Sequence, residues 1–476
     1  MILAIKQITI TFLLVAFTSQ VFSNNLFKDP PTKKSKPNII VIMADDLGYA
    51  DVGFNGCTDI PTPNIDRIAK NGVVCTNGYT TYSVCGPSRA GFITGRYQQR
   101  FGFERNPQYR PHDPNMGLPK SEATLAETLK KVNYTSGIIG KWHLGADISN
   151  HPLNRGFDFF FGHLGGGHNY FPESLNIQDS YSAENENQSY KTWILKNHTP
   201  IQTKKYLTDE FSDEAVSFIE NSQKKPFFLY LSYNAPHTPL QASEKYLKRF
   251  PNLQGKRKTY AAMVSAVDDG VGMVLDQLEK LNLDENTLVF FLSDNGGPET
   301  KNGSNNGPLR GMKSSVYEGG FRVPYAVQWK GNIQPGVYHE PVSSLDIYAT
   351  IAALSKAPIK KKKPLDGTNL IPFLNATQKG KPHENIYLRK FDGKFHTIRN
   401  NNLKLVINGK TSKKELYNLK DDIGETKNIA NKHPKDVERL SQLSQEWDSH
   451  LIDPIFLGLI HTKEWQKKLQ RKNKKN

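Results

Sequence analysis

The chain has 476 residues, of which 37% are hydrophobic and 23% are charged, an ordinary globular balance that can hold one large α/β domain and a smaller one. The net charge is +16, from 62 Lys and Arg against 46 Asp and Glu, and it favours attraction to polyanions. The basic runs at 360–363 and from 467 onwards are also typical of solvated loops and termini. No nucleic-acid-binding motif accompanies the charge, so a nucleic-acid partner is not indicated.

The first 23 residues, "MILAIKQITITFLLVAFTSQVFS", have the pattern of a secretory signal peptide. They contain one early lysine, an apolar run from Ile8 to Phe17, and small residues near Ser23. No later stretch reaches the roughly 18 apolar residues of a membrane span. The sequence therefore predicts a mature chain that starts near Asn24 in the periplasm or outside the cell. In an oxidising compartment the three cysteines allow at most one internal disulfide and leave one thiol over.

Four short apolar runs along the chain predict buried strands, and each ends in polar residues. "NIIVIM" is followed by Asp45 and Asp46, and "TSGII" (135–139) by "GKWHLG". "FFLYLSY" (227–233) is followed by "NAPHTP", and "LVFFL" (288–292) by "SDNGG". Helical patterns such as "TPNIDRIAKNG", "TLAETLKKV" and "TYAAMVSAVDDGVGMVLDQLEKL" alternate with these runs. This alternation predicts a mostly parallel sheet with helices on both faces, whose strand carboxyl ends meet at one cleft.

The polar residues after the strands include candidate metal ligands. Asp45, Asp46, Asp294 and Asn295 offer hard oxygen atoms, which suit Ca²⁺ or Mg²⁺ better than Zn²⁺. A single such pair is often only a turn or a helix cap, but here the pattern occurs twice after a buried strand. Cationic or proton-donating groups join them in the predicted cleft: Lys141, His143, His237 and Lys313. Together these residues predict a site for a small oxyanion beside a divalent cation.

The segment "CGPSRAGFITG" places Cys85 just outside the predicted amino end of a helix of about two turns. Pro87 suits the first helical position, Gly95 suits the stop, and the helix dipole favours an anion near Cys85. Arg89, one turn in, can face back toward it. The alternative for this cysteine is a buried core thiol or a half-cystine.

The string "CGPSRAGFITGR" resembles the signature of the type I sulfatases, C-x-P-S-R followed by a short helix and T-G. The resemblance covers most of the mature chain, through "PNIIVIMADDLGYADVG", "TPNIDRIAKNGV", "GKWHLG", "APHTPL", "SDNGG", "LRGMKSSVYEGGFRVP" and "ELYNLKDDIGETKNIA". Gly86 departs from the pattern, because a small polar residue is commoner there.

The resemblance implies that Cys85 is converted to formylglycine (3-oxoalanine) by a formylglycine-generating or anaerobic maturation enzyme. One hydroxyl of the hydrated aldehyde attacks sulfur, and loss of the proton from the other expels sulfate by C–O cleavage. One Ca²⁺ is implied, with the ligands Asp45, Asp46, Cys85, Asp294 and Asn295. The implied catalytic set is Cys85, Arg89, Lys141, His143, His237 and Lys313. In it Arg89 and His143 hold the aldehyde, Lys141 and Lys313 neutralise the sulfate, and His237 protonates the leaving alcohol.

The expected fold is an alkaline-phosphatase-like α/β domain over residues 24–370, followed by a smaller α+β subdomain over 371–476 with antiparallel strands, a helix and a basic tail. The expected function is hydrolysis of sulfate esters on a sulfated, algal-type polysaccharide or oligosaccharide. The loop "GHLGGGHNYF", with His163 and His168, is either part of a sugar subsite or a plain connection. Two alternatives remain: a phosphonate or phosphodiester hydrolase of the same superfamily, and a non-catalytic secreted polyanion-binding protein.

Overall fold

The computed structural model describes residues 36–461 and 463. The predicted signal peptide and most of the basic C-terminal tail lie outside the described residues. Within the described part, no helix has both the length and the apolar character needed to cross a membrane.

The described residues form strands and helices that alternate through most of the chain. The strands are β1 Asn38–Ala44, β2 Val73–Cys75, β3 Gly78–Tyr79, β4 Thr135–Lys141, β5 Phe159–His163, β6 Ile194–Lys196, β7 Thr199–Ile201, β8 Phe227–Ser232, β9 Thr287–Ser293, β10 Tyr325–Gln328, β11 Gly336–Tyr338, β12 Val342–Ser343, β13 Asn385–Lys390, β14 Phe395–Asn400, β15 Leu403–Asn408 and β16 Lys413–Asn418. The helices are α1 Pro63–Lys70, α2 Cys85–Thr94, α3 Leu125–Lys130, α4 Glu186–Ser189, α5 Leu207–Asn221, α6 Glu244–Leu247, α7 Gly255–Lys280, α8 Glu299–Asn302, α9 Glu318–Phe321, α10 Leu345–Ser355, α11 Ile371–Leu374 and α12 Pro434–Asp448.

The main sheet has ten strands in the order β11-β2-β10-β9-β1-β8-β4-β5-β6-β7. Its five central strands, β9-β1-β8-β4-β5, are parallel, and the strands β10, β6 and β7 run antiparallel to a neighbour. All four strands predicted from the apolar runs lie in this parallel centre. Their carboxyl ends therefore meet at one edge, as expected for an open α/β sheet.

Both faces of the sheet are buried. Alternate side chains of β1 point to opposite sides: Ile39, Val41 and Met43 join one core, while Ile40, Ile42 and Ala44 join the other. Helices α2, α3 and α10 contribute to the first core, and α1, α5 and α7 to the second. The predicted fold class, a mostly parallel sheet between two layers of helices, is confirmed.

A second sheet follows near the carboxyl end, with four antiparallel strands in the order β13-β14-β15-β16. One of its faces packs through Leu388 and Val406 against Tyr79 and Phe321. The other face packs through Leu405 against Leu440 of α12. The smaller α+β part is thus confirmed as architecture, while the boundary between residues 370 and 371 stays a prediction.

All three cysteines are free, so no internal disulfide is formed. Cys75 is buried in the core, and Cys57 contacts the carboxylate of Asp59 at 3.3 Å. Cys85 lies at the strand edge described next.

Candidate active site

The four predicted metal ligands meet at the carboxyl ends of two adjacent strands. Strand β1 pairs with β9 in a register that sets Ala44 opposite Ser293, so the residues that follow each strand are neighbours. One carboxylate oxygen from each of Asp45, Asp46 and Asp294 lies within 4.8 Å of the others, and all three side chains are buried. Asn295 donates from Nδ2 to Asp46 Oδ1 at 2.6 Å.

This group of oxygens fits a hard divalent cation. Asp45 Oδ1 and Asn295 Oδ1 are buried and have no hydrogen-bond partner among the described residues. Burial and the nearby Asp45 carboxylate raise the pKa of Asp294 to about 6. Burial alone would also raise the pKa of Asp46, but Lys313 and His237 lower it to about 2. Buried oxygens without partners, crowded with like charges, are what a bound cation would satisfy.

Three cations contact these carboxylates, of which Arg89 and Lys141 are buried and Lys313 is partly buried. Lys141 Nζ lies 2.6 Å from Asp45 Oδ2, and Lys313 Nζ lies 2.6 Å from Asp46 Oδ1. Arg89 Nε donates to Asp294 Oδ2 at 2.9 Å. We call these six residues the catalytic cluster: Asp45, Asp46, Asp294, Arg89, Lys141 and Lys313. Its three negative and three positive charges cancel. Binding a cation alone or an oxyanion alone would add uncompensated charge to the site, so binding of both together is favoured.

Cys85 lies beside the cluster at the amino end of α2. The helix begins at Cys85 rather than at Pro87, so the cysteine is its first residue and not the residue outside it. The amide hydrogen of Ser88 already bonds to the Val84 carbonyl, which places the first turn earlier than the proline suggests. Lys313 Nζ lies 3.0 Å from Cys85 Sγ, and burial raises the pKa of this thiol to about 11. At neutral pH the unmodified residue is therefore a thiol and a weak nucleophile.

Two histidines complete the predicted set. His237 Nδ1 lies 2.6 Å from the carbonyl oxygen of Thr238, so it carries a proton, and Nε2 lies 3.7 Å from Asp46 Oδ2. Burial lowers the pKa of His237 to about 3 in spite of Asp46, so the ring is neutral when no anion is bound. His143 is buried and, within the described structure, neither of its ring nitrogens has a partner. Burial and Lys141 lower its pKa well below the usual value.

The backbone around the site is locally strained. Asp46, His143 and Ser314, which follows Lys313, have φ of 67°, 57° and 72°. Such left-handed conformations cost free energy in residues other than glycine, and they persist where the surroundings impose them. Asp46 and His143 belong to the site themselves, and Ser314 directly follows Lys313.

The structure also brings in residues that the sequence analysis did not predict. Arg89 Nη1 donates to Tyr230 Oη at 3.3 Å and also to Ser232 Oγ. The presence of these two polar side chains in the otherwise apolar strand "FFLYLS" is the sequence signal that could have indicated this contact. Glu186 accepts from Gly166 N at 3.0 Å, and a Cβ added at Gly166 would lie 2.7 Å from Glu186 Oε1 and 2.9 Å from His143 Nε2. No local pattern pointed to Glu186.

The two histidines of the Gly-rich loop do not line an open subsite. His163 and His168 are both buried, and their rings contact each other with centroids 5.0 Å apart. Both ring nitrogens of His168 lie 2.8 Å from backbone carbonyl oxygens, those of Asn169 and Thr192. The His168 ring is therefore held by two hydrogen bonds and the His163 ring is buried against it, while the backbone at Gly166 approaches His143.

Comparison with known proteins identifies the family. The sulfatase family profile matches residues 37–357, and that of the N-sulphoglucosamine sulphohydrolase C-terminal region matches residues 312–450. The "Uncharacterized sulfatase YdeN" of Escherichia coli (strain K12) is 31% identical over 531 residues, covering 91% of this chain and 90% of that protein. The N-acetylgalactosamine-6-sulfatase of Mus musculus is 36% identical over 71% of this chain and 66% of its own length. The chain belongs to the sulfatase family and is a sulfuric ester hydrolase.

A solved structure is also similar. The crystal structure of "Ps i-CgsB in complex with k-i-k-neocarrahexaose" has a TM-score of 0.85 and 39% identity, covering 91% of this chain and 97% of that one. The alkaline-phosphatase-like fold expected from the resemblance is thereby confirmed.

Proposed function

We propose that this sulfatase hydrolyses sulfate esters on a sulfated, algal-type polysaccharide or oligosaccharide. The proposal for the substrate is supported by the similarity to Ps i-CgsB, whose crystal structure was solved in complex with k-i-k-neocarrahexaose. The net charge of +16 suits a polyanionic substrate.

The observation that carries the proposed mechanism is the position of Cys85. Its Sγ, a carboxylate oxygen of Asp45 and a ring nitrogen of His237 lie within 4.8 Å of one another, and Lys313 Nζ is 3.0 Å away. A buried thiol with a raised pKa is poorly suited to attack sulfur itself. Conversion of Cys85 to formylglycine would provide, as the hydrate, two hydroxyl groups on one carbon at this position.

We propose that Asp45, Asp46, Asp294 and Asn295, with the modified Cys85, hold one Ca²⁺. When bound, the ion would supply positive charge that polarises the nucleophile and the sulfate oxygens. The chain's own part is to keep these oxygens buried and fixed, through Arg89 on Asp294 and Lys141 on Asp45.

The remaining side chains are assigned by their atoms. Lys141 and Lys313 would neutralise sulfate oxygens, because both ammonium groups face the space between Cys85 and the carboxylates. His143 would hold the hydrated aldehyde through a ring nitrogen that has no partner in the described structure, and Arg89 would assist it. His237 keeps its Nδ1 proton on Thr238, which leaves Nε2 to donate to the leaving alcohol. A sulfate ester bound beside it would raise the pKa of His237, which favours the charged, proton-donating ring.

Maturation and location complete the proposal. The signal-peptide pattern of residues 1–23 supports export to the periplasm or the medium. A formylglycine-generating or anaerobic maturation enzyme would act on Cys85 before the buried site closes.

Two measurements test the proposal. Peptide mass spectrometry on chain made in a host with a maturation enzyme should show Cys85 with sulfur replaced by a carbonyl oxygen. Active protein in which Cys85 is entirely unmodified would contradict the mechanism. A panel of sulfated galactan oligosaccharides, assayed beside matched sulfate, phosphonate and phosphodiester esters, should give the highest kcat/KM on sulfated sugars. Faster phosphonate or phosphodiester hydrolysis would favour that alternative, and binding without turnover would favour the polyanion-binding one.

A further inference from the structure

A polar cavity of about 450 Å³ lies outside the catalytic cluster. It is bounded by the β2–β3 connection, the segment between β11 and β12, and the end of the four-stranded sheet that carries the β14–β15 turn. Its walls carry Asn77, Arg322, His339, Glu340, Arg399 and Lys420. No residue of the catalytic cluster lines it. We call it the second groove.

Two nearly buried arginines form the floor of the second groove. Arg322 and Arg399 are each 5% exposed. Arg322 Nε donates to the Thr76 carbonyl at 3.0 Å, and Arg399 Nη1 donates to Asn77 Oδ1 at 2.7 Å. The Nη2 group of each guanidinium has no hydrogen-bond partner among the described residues. Neither Nη2 atom is among the fully buried donors that lack a partner, so both are open to the groove, where the oxygen atoms of an anion can reach them.

The two guanidinium groups are held close together by shared partners. Glu318 Oε2 accepts from Arg322 Nη1 at 3.3 Å and from Tyr79 Oη at 2.6 Å. Arg399 Nη1 contacts the same tyrosine hydroxyl. This rigid connection orients both donors before any ligand arrives.

The charges behind the floor do not cancel. Lys404 Nζ lies 2.9 Å from Glu318 and 2.8 Å from Glu425. We call these five residues the Glu318 network: Arg322, Arg399, Lys404, Glu318 and Glu425. Three cations face two carboxylates, which leaves one positive charge at the floor. At the rim Lys420 and Glu340 are exposed and carry opposite charges.

We propose that the second groove binds a sulfate-bearing sugar unit of a glycan at a non-catalytic site. Guanidinium donors in a fixed fork recognise the oxygens of an oxyanion. The volume lies in the range of small-molecule sites and exceeds what a lone oxyanion fills, and the side-chain amide of Asn77 and its neighbours suits sugar hydroxyls. The choice of a glycan rests on the proposed function, whereas the affinity for an oxyanion rests on the arginines alone.

The test is a calorimetric titration of the full-length Cys85→Ala chain, which cannot turn over substrate, with a sulfated galactan hexasaccharide. We expect two binding events per chain. Lys420→Gln should weaken one event about 2- to 5-fold, and Glu340→Gln should strengthen the same event by a similar factor. Arg399→Gln should weaken it by at least about 10-fold. Because Arg399 also contacts Tyr79, the thermal midpoint of the Arg399→Gln variant is measured in parallel. The variants of Lys420 and Glu340 test the proposal without changing the floor of the groove.

Controls separate the outcomes. Lys280→Gln removes an equal charge at the end of α7 and should change neither event. A single binding event whose affinity is unchanged by both rim substitutions would overturn the proposal that the second groove binds a glycan. This holds whether or not the chain desulfates glycans. A single event that responds to both would keep the groove and count against glycan binding at the catalytic site. If inorganic sulfate binds the groove as tightly as the hexasaccharide, the glycan assignment is overturned and the ligand is the free oxyanion.

Discussion

The catalytic cluster and the Glu318 network are both groups of carboxylates and cations, but the carboxylates of Asp294 and Glu318, one from each group, differ in how well their charges are compensated. Glu318 accepts from Tyr79 and Lys404 at 2.6 and 2.9 Å. Burial alone would raise the pKa of Glu318, but Lys404 and the two arginines lower it to about 2. In the catalytic cluster Lys313 and His237 lower the pKa of Asp46 to about 2 in the same way, but burial and Asp45 raise the pKa of Asp294 to about 6, and Asp45 Oδ1 has no hydrogen-bond partner in the described structure.

The difference separates Glu318, a carboxylate whose charge stabilises the fold, from Asp294, a carboxylate whose charge suits a bound ligand. A carboxylate with a lowered pKa is more favourable charged in the folded chain than in the unfolded one. A carboxylate with a raised pKa is less favourable, and the structure carries that cost until something else compensates it. The same comparison explains why the carboxylates of the Glu318 network are poor candidates for metal ligands: Lys404 already fills the space between them.

The largest expected effect tests proton donation in the catalytic site. His237→Ala should lower kcat/KM on a sulfated oligosaccharide by about 10²- to 10⁴-fold, because a sugar alkoxide leaves poorly without a proton. The loss on nitrophenyl sulfate should be much smaller, since a phenolate leaves unaided. Lys313→Ala is the control, and it should harm both substrates alike because it touches the shared sulfate. Equal losses for His237→Ala on the two substrates would mean that the ring binds or orients instead.

The second prediction tests the Glu318 network. Lys404→Met leaves two buried carboxylates without their shared cation, and the free energy of unfolding should fall by about 3–5 kcal/mol. Urea unfolding followed by circular dichroism measures it. The matched control is Lys413→Met on β16, which removes an exposed ammonium group from its 2.7 Å pair with the partly buried Glu415 and should cost less than about 1 kcal/mol. Equal, small costs for both variants would remove the distinction between the two kinds of charge group.

The third prediction concerns the catalytic cluster, where a substitution should lower activity without lowering the free energy of unfolding. Asp294→Asn should lower kcat/KM by about 10²- to 10³-fold, because it removes an anionic ligand of the proposed cation. The free energy of unfolding, measured with chelator present, should stay equal or rise, since the repulsion between Asp45 and Asp294 is gone and the substituted amide oxygen still accepts from Arg89. Ca²⁺ affinity, measured by titration, should fall together with activity. A variant as unstable as Lys404→Met would show that Asp294 serves the fold.

The sequence predicted the polar ends of the four strands because each strand end has a short local pattern, an apolar run followed by Asp, Asn, Lys or His. It did not predict the contacts of Arg89 with Tyr230 and Ser232, because these depend on which strand lies beside α2 and in what register. Glu186 lies against Gly166, beside His143, only through the path of a long loop. The place of His163 and His168 stayed open for the same reason, because burial by distant segments is not visible in the loop's own composition.

The second groove shows the same limit more strongly. Arg322 belongs to the string "LRGMKSSVYEGGFRVP", whereas Arg399 is 77 positions further along the chain and lies outside every string that carries the resemblance. Their approach requires the four-stranded sheet to pack on the main domain through Leu388 and Val406. Net charge pointed to polyanions, but only the fold shows where the positive charge is concentrated.

The smallest expected effect is the pH dependence of stability that the Glu318 network imposes. In the unfolded chain Glu318 takes up a proton near its ordinary pKa of 4.5, whereas the folded carboxylate stays ionised down to a pKa of about 2. Its contribution is therefore fully present above pH 4.5 and is lost as the pH falls toward 2. Between pH 5 and pH 3 the free energy of unfolding of the native chain should fall by about 2 kcal/mol more than that of Glu318→Gln. Glu340→Gln, the same change at an exposed position, should leave the native slope unaltered, and a Glu318→Gln slope equal to the native one would show that Glu318 is not held as a charged group.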